Sequence, residues 1–354
     1  MNYAEVEYEA ERFLRIENVN QMAQYLETPL YALRFIQNNR AYKEFFVRKS
    51  SGGKRRIEDP ESVLKTIQQK LNDALQAAYY LHRSASAYGF QISVAHEKHP
   101  RNIKSNAECH INKPWMLNAD FKDFFHQINT AKLKSLFLNA PFKFDDELID
   151  LVIDLCTHKD RLPMGAPTSP VLSNFASLIL DAHFEAFAKD NQLVYTRFVD
   201  DLTFSSQNEI TEEQVQTIFQ IAKISGLDFN PSKIKVYMPA HVKIVTGLVV
   251  ADTITLPTEY IVELENEIEK FAHTWEVNTR AGQRNNAYLK KFRQQIEGRL
   301  QFAGFVLGHE HSKLRSLEGK YMQASQIDYF DTVSWTDFGY QNLTDSFRYK
   351  KTTK

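Results

Sequence analysis

The sequence predicts an α+β fold in which helices at both ends of the chain flank a central region of antiparallel strands. Apolar residues recur at helical spacing in residues 1–40 and again from about Pro257 onward. Between these segments, residues 45–58 and 193–205 each consist of two short strand-like stretches interrupted by a turn. Strands joined by a tight turn pair antiparallel, so the central sheet should be antiparallel.

The composition is that of a folded, water-soluble chain. Of the 354 residues, 43 % are hydrophobic and 25 % are charged, and the formal net charge is -1. The sequence has no apolar run of about 18 residues and begins with an acidic segment, so we expect neither a membrane span nor a secretory signal and place the protein in the cytoplasm. Two cysteines, Cys109 and Cys156, are too few for a disulfide framework or a multi-cysteine zinc site.

Two local clusters of basic residues occur on this nearly neutral chain. The first precedes the central strands and the second lies near the C-terminus. Their members are Lys98, His99, Arg101, Lys104 and Lys113, and then Lys290, Lys291, Arg293 and Arg299. Such clusters suit a nucleic acid held in one position, although each one taken alone also fits a solvated helix face.

A hairpin with a cationic second strand follows the N-terminal helices. Residues 45–48 and 54–58 alternate on either side of a serine- and glycine-rich turn. Asp59 is then expected to cap a helix whose first residue is Pro60. The apolar positions that recur along this helix are Val63, Ile67, Leu71 and Leu75.

Three aspartates stand at predicted strand ends. A strand over residues 115–119 leads into Asp120, and the strand of residues 193–198 breaks at Asp200 and Asp201 before it resumes. Phe124, Phe125 and Ile128 follow the first aspartate at the spacing of one helix face. Residues 162–170 are too rich in proline and glycine for a helix, and a helix is predicted over residues 171–187.

Carboxylates gathered at one end of a sheet suit hard divalent cations, because Mg²⁺ prefers oxygen ligands. Two such ions could activate an attacking hydroxyl and stabilise the charge on a leaving pyrophosphate. Two acids at a hairpin tip are, on their own, more often solvated turn residues. The other motifs of the chain therefore decide the interpretation.

The motifs, in their order along the chain, resemble those of reverse transcriptases. Phe198-Val199-Asp200-Asp201 resembles the Tyr-x-Asp-Asp motif of that family. Further segments resemble the fingers strand, motif A, motif B and motif D, and they lie at residues 53–60, 117–125, 162–174 and 226–233. Residues 106–110, Asn-Ala-Glu-Cys-His, and Val245-Thr246-Gly247 resemble features of the retron branch.

The resemblance implies a right-hand polymerase with fingers, palm and thumb. The expected domains are the N-terminal helices and fingers at 1–115, the palm at 116–250, the helical thumb at 251–310 and a C-terminal extension at 311–354. The extension either completes the thumb or contacts a partner.

The resemblance also implies a role for each matched residue of the catalytic centre. Asp120 and Asp200 would bind two Mg²⁺ ions, with Mn²⁺ as the alternative metal. Asp201 would be an adjacent acid with a less direct contact, and the backbone carbonyl of Phe121 would add a ligand. Lys54 and Arg55 match the cations that hold an incoming triphosphate.

Three further residues are implied to contact the nucleotide. Phe125 matches the aromatic residue that lies under the sugar and leaves no room for a 2'-hydroxyl. Gly165 would let the backbone approach the nascent base pair closely, because glycine has no side chain. Lys233 would reach the triphosphate or the leaving group.

The resemblance implies RNA contacts outside the catalytic centre. Asn106 and His110 are either structural or RNA-contacting. Val245, Thr246 and Gly247 would form a turn that binds the structured RNA. The late basic cluster, Lys290, Lys291, Arg293 and Arg299, would track the RNA stem of a template-primer duplex.

Three departures from the family pattern leave the metal ligands intact. Phe198 replaces the tyrosine of the Tyr-x-Asp-Asp motif, and Met164 replaces a glutamine that often begins motif B. His126-Gln127-Ile128 replaces the more usual Pro-Ser-Ile. We expect activity to survive these changes.

The expected function is that of a retron-type RNA-directed DNA polymerase in bacterial anti-phage defence. It would use deoxynucleoside triphosphates to copy part of a bound non-coding RNA of the msr-msd type, primed from an RNA 2'-hydroxyl, and would keep the resulting DNA joined to RNA. A separate effector protein is an expected partner. The alternatives are a template-independent or protein-primed polymerase of the abortive-infection kind, and an RNA-binding scaffold that restrains an effector.

Overall fold

The structure is a computed structural model that describes residues 1–48, 52–281 and 286–325. These residues form two compact units. The first comprises Met1–Asn106 and Pro114–Ala240, and the second comprises Ala107–Lys113 and the described residues from His241 onward.

The helical pattern predicted over residues 1–40 corresponds to three separate helices, α1 (Tyr3–Leu14), α2 (Val19–Tyr25) and α3 (Leu30–Asn38). The side chains of Asn2 and Asn18 accept hydrogen bonds from backbone N–H groups in the first turns of α1 and α2. These caps satisfy donors that a helix cannot pair internally. Buried residues of all three helices, among them Phe13, Met22 and Leu33, belong to the main hydrophobic core.

The predicted hairpin is present. Strand β1 (Tyr42–Arg48) pairs antiparallel with β2 (Lys54–Pro60). The prediction for the helix that follows is wrong at its start, because Pro60 is the last residue of β2 and lies opposite Tyr42. A proline has no N–H to donate and is therefore tolerated at such a strand end.

Helix α4 (Ser62–His82) begins after Glu61, and Asp59 does not cap it. The Asp59 carboxylate instead accepts a hydrogen bond from Lys65 Nζ at 2.6 Å. The buried face of α4 starts at Leu64, whereas the predicted core residue Val63 is 62 % exposed. The apolar period predicted for α4 is confirmed at Ile67, Leu71 and Leu75, but its first buried residue is Leu64.

The central sheet is antiparallel, with strand order β4-β5-β3-β6. The strands are β3 (Trp115–Asp120), β4 (Val194–Phe198), β5 (Asp201–Ser206) and β6 (Lys235–Tyr237). Asp120 pairs across the ladder with Asp201, and Asp200 lies in the turn between β4 and β5. The predicted strand and hairpin are confirmed, and the aspartates lie at one end of the sheet.

Six more helices occur between residues 103 and 224. They are α5 (Ile103–Glu108), α6 (Thr130–Leu138), α7 (Asp146–Cys156), α8 (Ser169–Ala176), α9 (Leu178–Asp190) and α10 (Glu212–Ile224). The single helix predicted over residues 171–187 is in fact two, separated by Ser177, whose hydroxyl donates to the Ser173 carbonyl at 2.9 Å. Residues Phe124–Gln127 form a short 3-10 helix.

From His241 onward, the described residues of the second unit form a small antiparallel sheet and three helices. The strands are β7 (Lys243–Val245), β8 (Leu248–Val250) and β9 (Ile254–Thr255), and the helices are α11 (Thr258–Arg280), α12 (Ala287–Leu307) and α13 (Ser312–Ser325). The tail after Leu307 is less broken than predicted, because α13 packs there with the Tyr321 ring 5.7 Å from that of Phe271. Helix α13 lies in the proposed C-terminal extension, whose residues 326–354, Trp335 among them, lie outside the described residues. The helices that the structure describes include none with the length and apolar character of a membrane span.

Candidate active site

The sheet brings the three predicted aspartates together. Asp120 ends β3 directly opposite Asp201 on β5, and Asp200 occupies the turn that leads into β5. We call residues 199 and 200 the aspartate turn. The backbone N–H of Phe121 donates to the carbonyl of Asp200 at 3.0 Å, so the segment after β3 is fastened to this turn.

The electrostatics of the three carboxylates favour a bound cation. Burial, followed by the charge of Asp120, raises the pKa of Asp200. Burial, followed by the charges of Asp200 and Asp120, raises the pKa of Asp201 to about 7. A divalent ion would offset this repulsion, and carboxylate oxygens are the donors that Mg²⁺ prefers. The residues therefore fit the expected metal, and the Phe121 carbonyl remains a predicted ligand.

Another acidic cluster of the first unit is less suited to a metal. Ligand atoms of Glu44, Glu58 and His158 lie within 4.8 Å of one another. However, Lys159 donates to Glu44 at 2.6 Å, and Arg161 donates to both oxygens of Glu58 at 2.8 Å. Side-chain cations already neutralise these acids.

Lys233 lies directly at the aspartates. Its Nζ is 2.7 Å from Oδ2 of Asp120, although half of the lysine side chain is exposed. The loop before it is held against the end of β3, since the Asn230 N–H donates to the Asp120 carbonyl at 2.8 Å and the Phe229 ring stacks on Phe121 at 4.8 Å. A half-exposed cation at this position suits a nucleotide phosphate, and the contact of Lys233 with one remains a prediction.

Gln127, one of the departures from the family pattern, supports the same loop. Its side-chain Oε1 accepts from the Asp228 N–H at 2.6 Å, and its Nε2 donates to the Asp228 carbonyl at 3.0 Å. Nε2 also donates to the Lys122 carbonyl. The amide of Gln127 thus joins the segment after β3 to the loop that carries Lys233, and no pattern in the sequence indicates this role.

The predicted triphosphate cations are both exposed at the start of β2. Lys54 Nζ lies 6.0 Å from the centre of the Phe46 ring. The charge of Arg55 contributes to lowering the pKa of Asp200, against the larger effect of burial. The next residue, Arg56, pairs with Glu44 across the hairpin. Of three consecutive cations, the two predicted ones are thus the better placed to bind a phosphate.

Gly165 is required for a different close approach from the one predicted. Its φ is +135°, and a Cβ there would lie 2.9 Å from Ile57 Cγ2 and 3.0 Å from the Glu58 carbonyl oxygen. The Glu58 N–H also donates to the Met164 carbonyl at 2.7 Å. The glycine therefore lets this loop pack against β2, and its contact with a nascent base pair remains a prediction.

Phe125 is half-buried and lies next to a ring that the sequence analysis missed. Its ring centre is 5.8 Å from Phe124 and 6.5 Å from Phe90. Phe90 is 44 % exposed and adopts a left-handed conformation with φ +53°, which is uncommon for a large side chain. No pattern in the sequence singles out this ring.

The buried carboxylate of Glu58 joins the hairpin to the segment before α8. Both of its oxygens accept hydrogen bonds from Arg161, and its Oε2 also lies 3.4 Å from His126 Nε2. Burial would raise the pKa of Glu58, but the Arg161 guanidinium outweighs it and lowers the pKa to about 2. Folding therefore favours the ionised form of the Glu58 carboxylate.

Glu58→Gln should destabilise the protein at neutral pH by about 2 kcal/mol, because it leaves Arg161 without its charge partner. The depressed pKa means that this contribution is present above the ordinary value of 4.5 and is lost as pH falls through about 2. Urea unfolding should show that the difference in unfolding free energy between wild type and Glu58→Gln shrinks as the pH falls over this range. A difference that stays constant with pH would contradict the ion-pair account, and Glu209→Gln, at an exposed position of the same unit, is the control.

The predicted RNA-binding residues of the retron features are mostly buried. The side chains of Asn106, His110 and Val245 are almost completely inaccessible. Burial, with a smaller effect of Lys113, lowers the pKa of His110 to about 3, so this histidine is neutral. Of the two interpretations left open for Asn106 and His110, this favours the structural one, and Val245 does not expose a side chain to RNA.

Thr246 and Gly247 form the two-residue turn between β7 and β8. Their φ values are +48° and +83°, and Val245 pairs with Leu248 across the turn. Two successive positive φ angles are typical of a tight type I′ hairpin, which accounts for the glycine. RNA contact by this turn remains a prediction.

The late basic cluster divides into two pairs. Arg299 lies 2.8 Å from Glu267 and over the Tyr260 ring, and Arg293 lies 3.6 Å from Glu297 and over the Trp275 ring. Lys290 and Lys291 are exposed on α12. The two arginines thus stabilise the helical part of the second unit, whereas the lysines are presented to solvent.

Replacing Lys290 and Lys291 together by Ala should weaken binding of a template-primer duplex and lower the slope of log affinity against log salt by about 2, one for each lost phosphate contact. Arg299→Ala should instead lower the melting temperature. Affinity measured over a salt series, beside thermal unfolding, separates the two effects. An unchanged salt slope in the double lysine variant would rule out its phosphate contacts.

Comparison with known proteins gives one consistent family. Residues 47–308 match the model of "Reverse transcriptase (RNA-dependent DNA polymerase)". The chain is 33 % identical to the retron Ec86 reverse transcriptase of Escherichia coli over 54 % of this chain and 60 % of that protein. It is 28 % identical to the retron Mx65 reverse transcriptase of Myxococcus xanthus over 74 % and 64 %. The match thus spans less than two thirds of either relative.

A solved structure supports the fold. Telomerase from Candida albicans, in complex with a TWJ fragment of telomeric RNA, superposes with a TM-score of 0.50 over 82 % of this chain and 64 % of that one. Identity in this alignment is 11 %, so the likeness concerns the fold alone.

Proposed function

Because this chain belongs to the reverse transcriptase family and to its retron type, we propose that it is an RNA-directed DNA polymerase whose centre is Asp120, Asp200 and Asp201. The family confirms the predicted right-hand polymerase fold. The observation that carries the proposal is the convergence of three carboxylates at one sheet end with Lys233 Nζ 2.7 Å from Asp120. A site of this kind binds metal ions and a nucleotide phosphate together.

The protein's own residues would divide the work as follows. Asp120 and Asp200, with Asp201 beside them, would hold two Mg²⁺ ions, which supply charge stabilisation for phosphoryl transfer. Lys54 and Arg55 would bind the triphosphate from exposed positions on β2, and Lys233 would bind it from beside Asp120. Phe125 would exclude nucleotides that carry a 2'-hydroxyl.

The finer proposal concerns template and product. The relatives are retron reverse transcriptases, and the Asn106 to His110 and Val245 to Gly247 segments support the same branch. We infer that the enzyme copies part of a bound structured non-coding RNA of the msr-msd type from an RNA 2'-hydroxyl. It would leave RNA-linked single-stranded DNA in a bacterial cytoplasm, with a separate effector protein in anti-phage defence.

A primer-extension assay tests the activity. Purified protein, labelled deoxynucleotides and Mg²⁺ should yield DNA only when a structured RNA is supplied, and the DNA should be shortened when the RNA template is shortened. Undiminished incorporation after removal of all RNA would favour a template-independent or protein-primed polymerase. RNA binding without any incorporation would favour a scaffold that restrains an effector.

A further inference from the structure

A buried arginine lies directly behind the aspartate turn. Arg197 is the penultimate residue of β4, and its side chain is completely buried, which is rare for arginine unless it is paired. Its Nε donates to Asp181 Oδ1 at 2.8 Å, and its Nη2 donates to Asp181 Oδ2 at 2.6 Å. This bidentate pair fixes the plane of the guanidinium.

The remaining nitrogen of Arg197 reaches the turn itself. Nη1 donates to the Val199 carbonyl at 3.0 Å and to Asn174 Oδ1 at 3.0 Å. Four of the five guanidinium N–H groups are thus used. One side chain joins α8, which carries Asn174, and α9, which carries Asp181, to the turn that presents Asp200.

The turn has a conformation that requires such support. Val199 has φ +64°, a left-handed value that is unfavourable for a β-branched residue. On its other side lies Gly89, where a Cβ would come within 2.6 Å of Val199 Cγ2 and 2.9 Å of the Val199 nitrogen. Asn174 Nδ2 donates to the Gly89 carbonyl at 2.9 Å. Val199 is therefore held between Gly89 and Arg197, and Asn174 is hydrogen-bonded to both of them.

We propose that Arg197 is a positioning residue for the catalytic aspartates. Through the Val199 carbonyl, it holds the aspartate turn in the conformation that places Asp200 and Asp201 beside Asp120. The inference rests on the proposed polymerase function and adds to it a residue that touches neither nucleotide nor nucleic acid. A purely structural ion pair would require Asp181 alone, whereas here the same guanidinium also bonds the turn.

The sequence offers a matched pair of variants. Arg197→Lys keeps the positive charge, but a lysine lacks the planar fork that reaches Asp181, Asn174 and Val199 together. Tyr195→Phe removes another hydrogen bond from the same carboxylate, since the Tyr195 hydroxyl donates to Asp181 Oδ1 at 2.8 Å. No hydrogen bond joins that hydroxyl to the described atoms of the aspartate turn, so this variant disturbs the buried cluster alone.

The test measures kcat, the KM for deoxynucleotide and the Mg²⁺ concentration for half-maximal rate, with melting temperature as the check on folding. Arg197→Lys should lower kcat about 100-fold, the loss expected for a displacement near 1 Å, and raise the Mg²⁺ requirement, with KM nearly unchanged. Tyr195→Phe should lower the melting temperature and leave kcat and the Mg²⁺ requirement within about threefold of wild type.

A folded Arg197→Lys protein with wild-type kcat and Mg²⁺ requirement would overturn the inference, as would a Tyr195→Phe protein with the same losses as Arg197→Lys. If Arg197→Lys does not fold, Asn174→Ala decides, because it leaves the Arg197–Asp181 pair in place and removes the second acceptor of Nη1, the nitrogen that holds the Val199 carbonyl, together with the link to Gly89. It should lower kcat about tenfold and raise the Mg²⁺ requirement, and unchanged values would refute the role. Wild-type protein that makes no DNA would overturn the polymerase proposal as well. If wild type is active and the deciding variant has the same kcat and Mg²⁺ requirement, only the role of Arg197 is refuted.

Discussion

Asp200→Asn should reduce DNA synthesis by at least about a thousandfold, because an amide cannot replace the carboxylate charge that a two-metal centre requires. The change is nearly isosteric, and the carboxylate's burial and its repulsion by Asp120 already raise its pKa. Loss of the charge should therefore not unfold the protein. RNA binding should stay close to wild type, because the predicted RNA contacts lie in other segments.

The measurement is incorporation of labelled deoxynucleotide on an RNA template, beside RNA affinity and melting temperature. Glu209→Gln is the matched control, since it removes one negative charge from an exposed position in the same unit. Synthesis by Asp200→Asn at the rate of wild type would contradict the assignment of the site.

Phe125→Ala should relax the discrimination against ribonucleotides by roughly 100-fold, because removal of a ring opens space for a 2'-hydroxyl that the wild-type site excludes sterically. The ratio of kcat/KM for a ribonucleotide and its deoxynucleotide measures this effect. The ring is half-buried against Phe124, so the melting temperature should be measured as well.

The neighbouring ring provides the control for this variant. Phe90 lies 6.5 Å from Phe125 and is also a phenylalanine ring, although it is the more exposed of the two. Phe90→Ala should leave the sugar discrimination near that of wild type. Should the two variants exchange their effects, the ring that selects deoxynucleotides is Phe90, and the role inferred for Phe125 from the family resemblance is wrong.

The sequence was most informative where chemistry and local structure coincide. The strand that ends at Asp120 and the hairpin that carries Asp200 both follow from short alternating stretches, and pairing within one sheet is enough to bring the acids together. The approximate place of α4 followed from its apolar period in the same way. These features depend on neighbours close in the chain.

The features that could not be predicted depend on contacts between distant segments. Nothing near Pro60 shows that β2 continues to it, because the reason is its pairing with Tyr42. The reason for Gly165 is a strand more than 100 residues earlier, and the left-handed φ of Val199 leaves no mark on the sequence. Arg197 reads as an ordinary strand residue until Asp181 and Asn174 are seen around it.

The most direct test of the central claim is the nucleic acid that accompanies the protein. Wild-type protein and Asp200→Asn should each be purified from bacteria that also express a structured non-coding RNA of the msr-msd type, and the extracted nucleic acid should be resolved on a denaturing gel with and without ribonuclease. Wild type should yield a single-stranded DNA that is shortened by ribonuclease because it is covalently joined to RNA, and Asp200→Asn should yield RNA only. Active wild-type protein whose DNA carries no attached RNA would contradict the retron-type account.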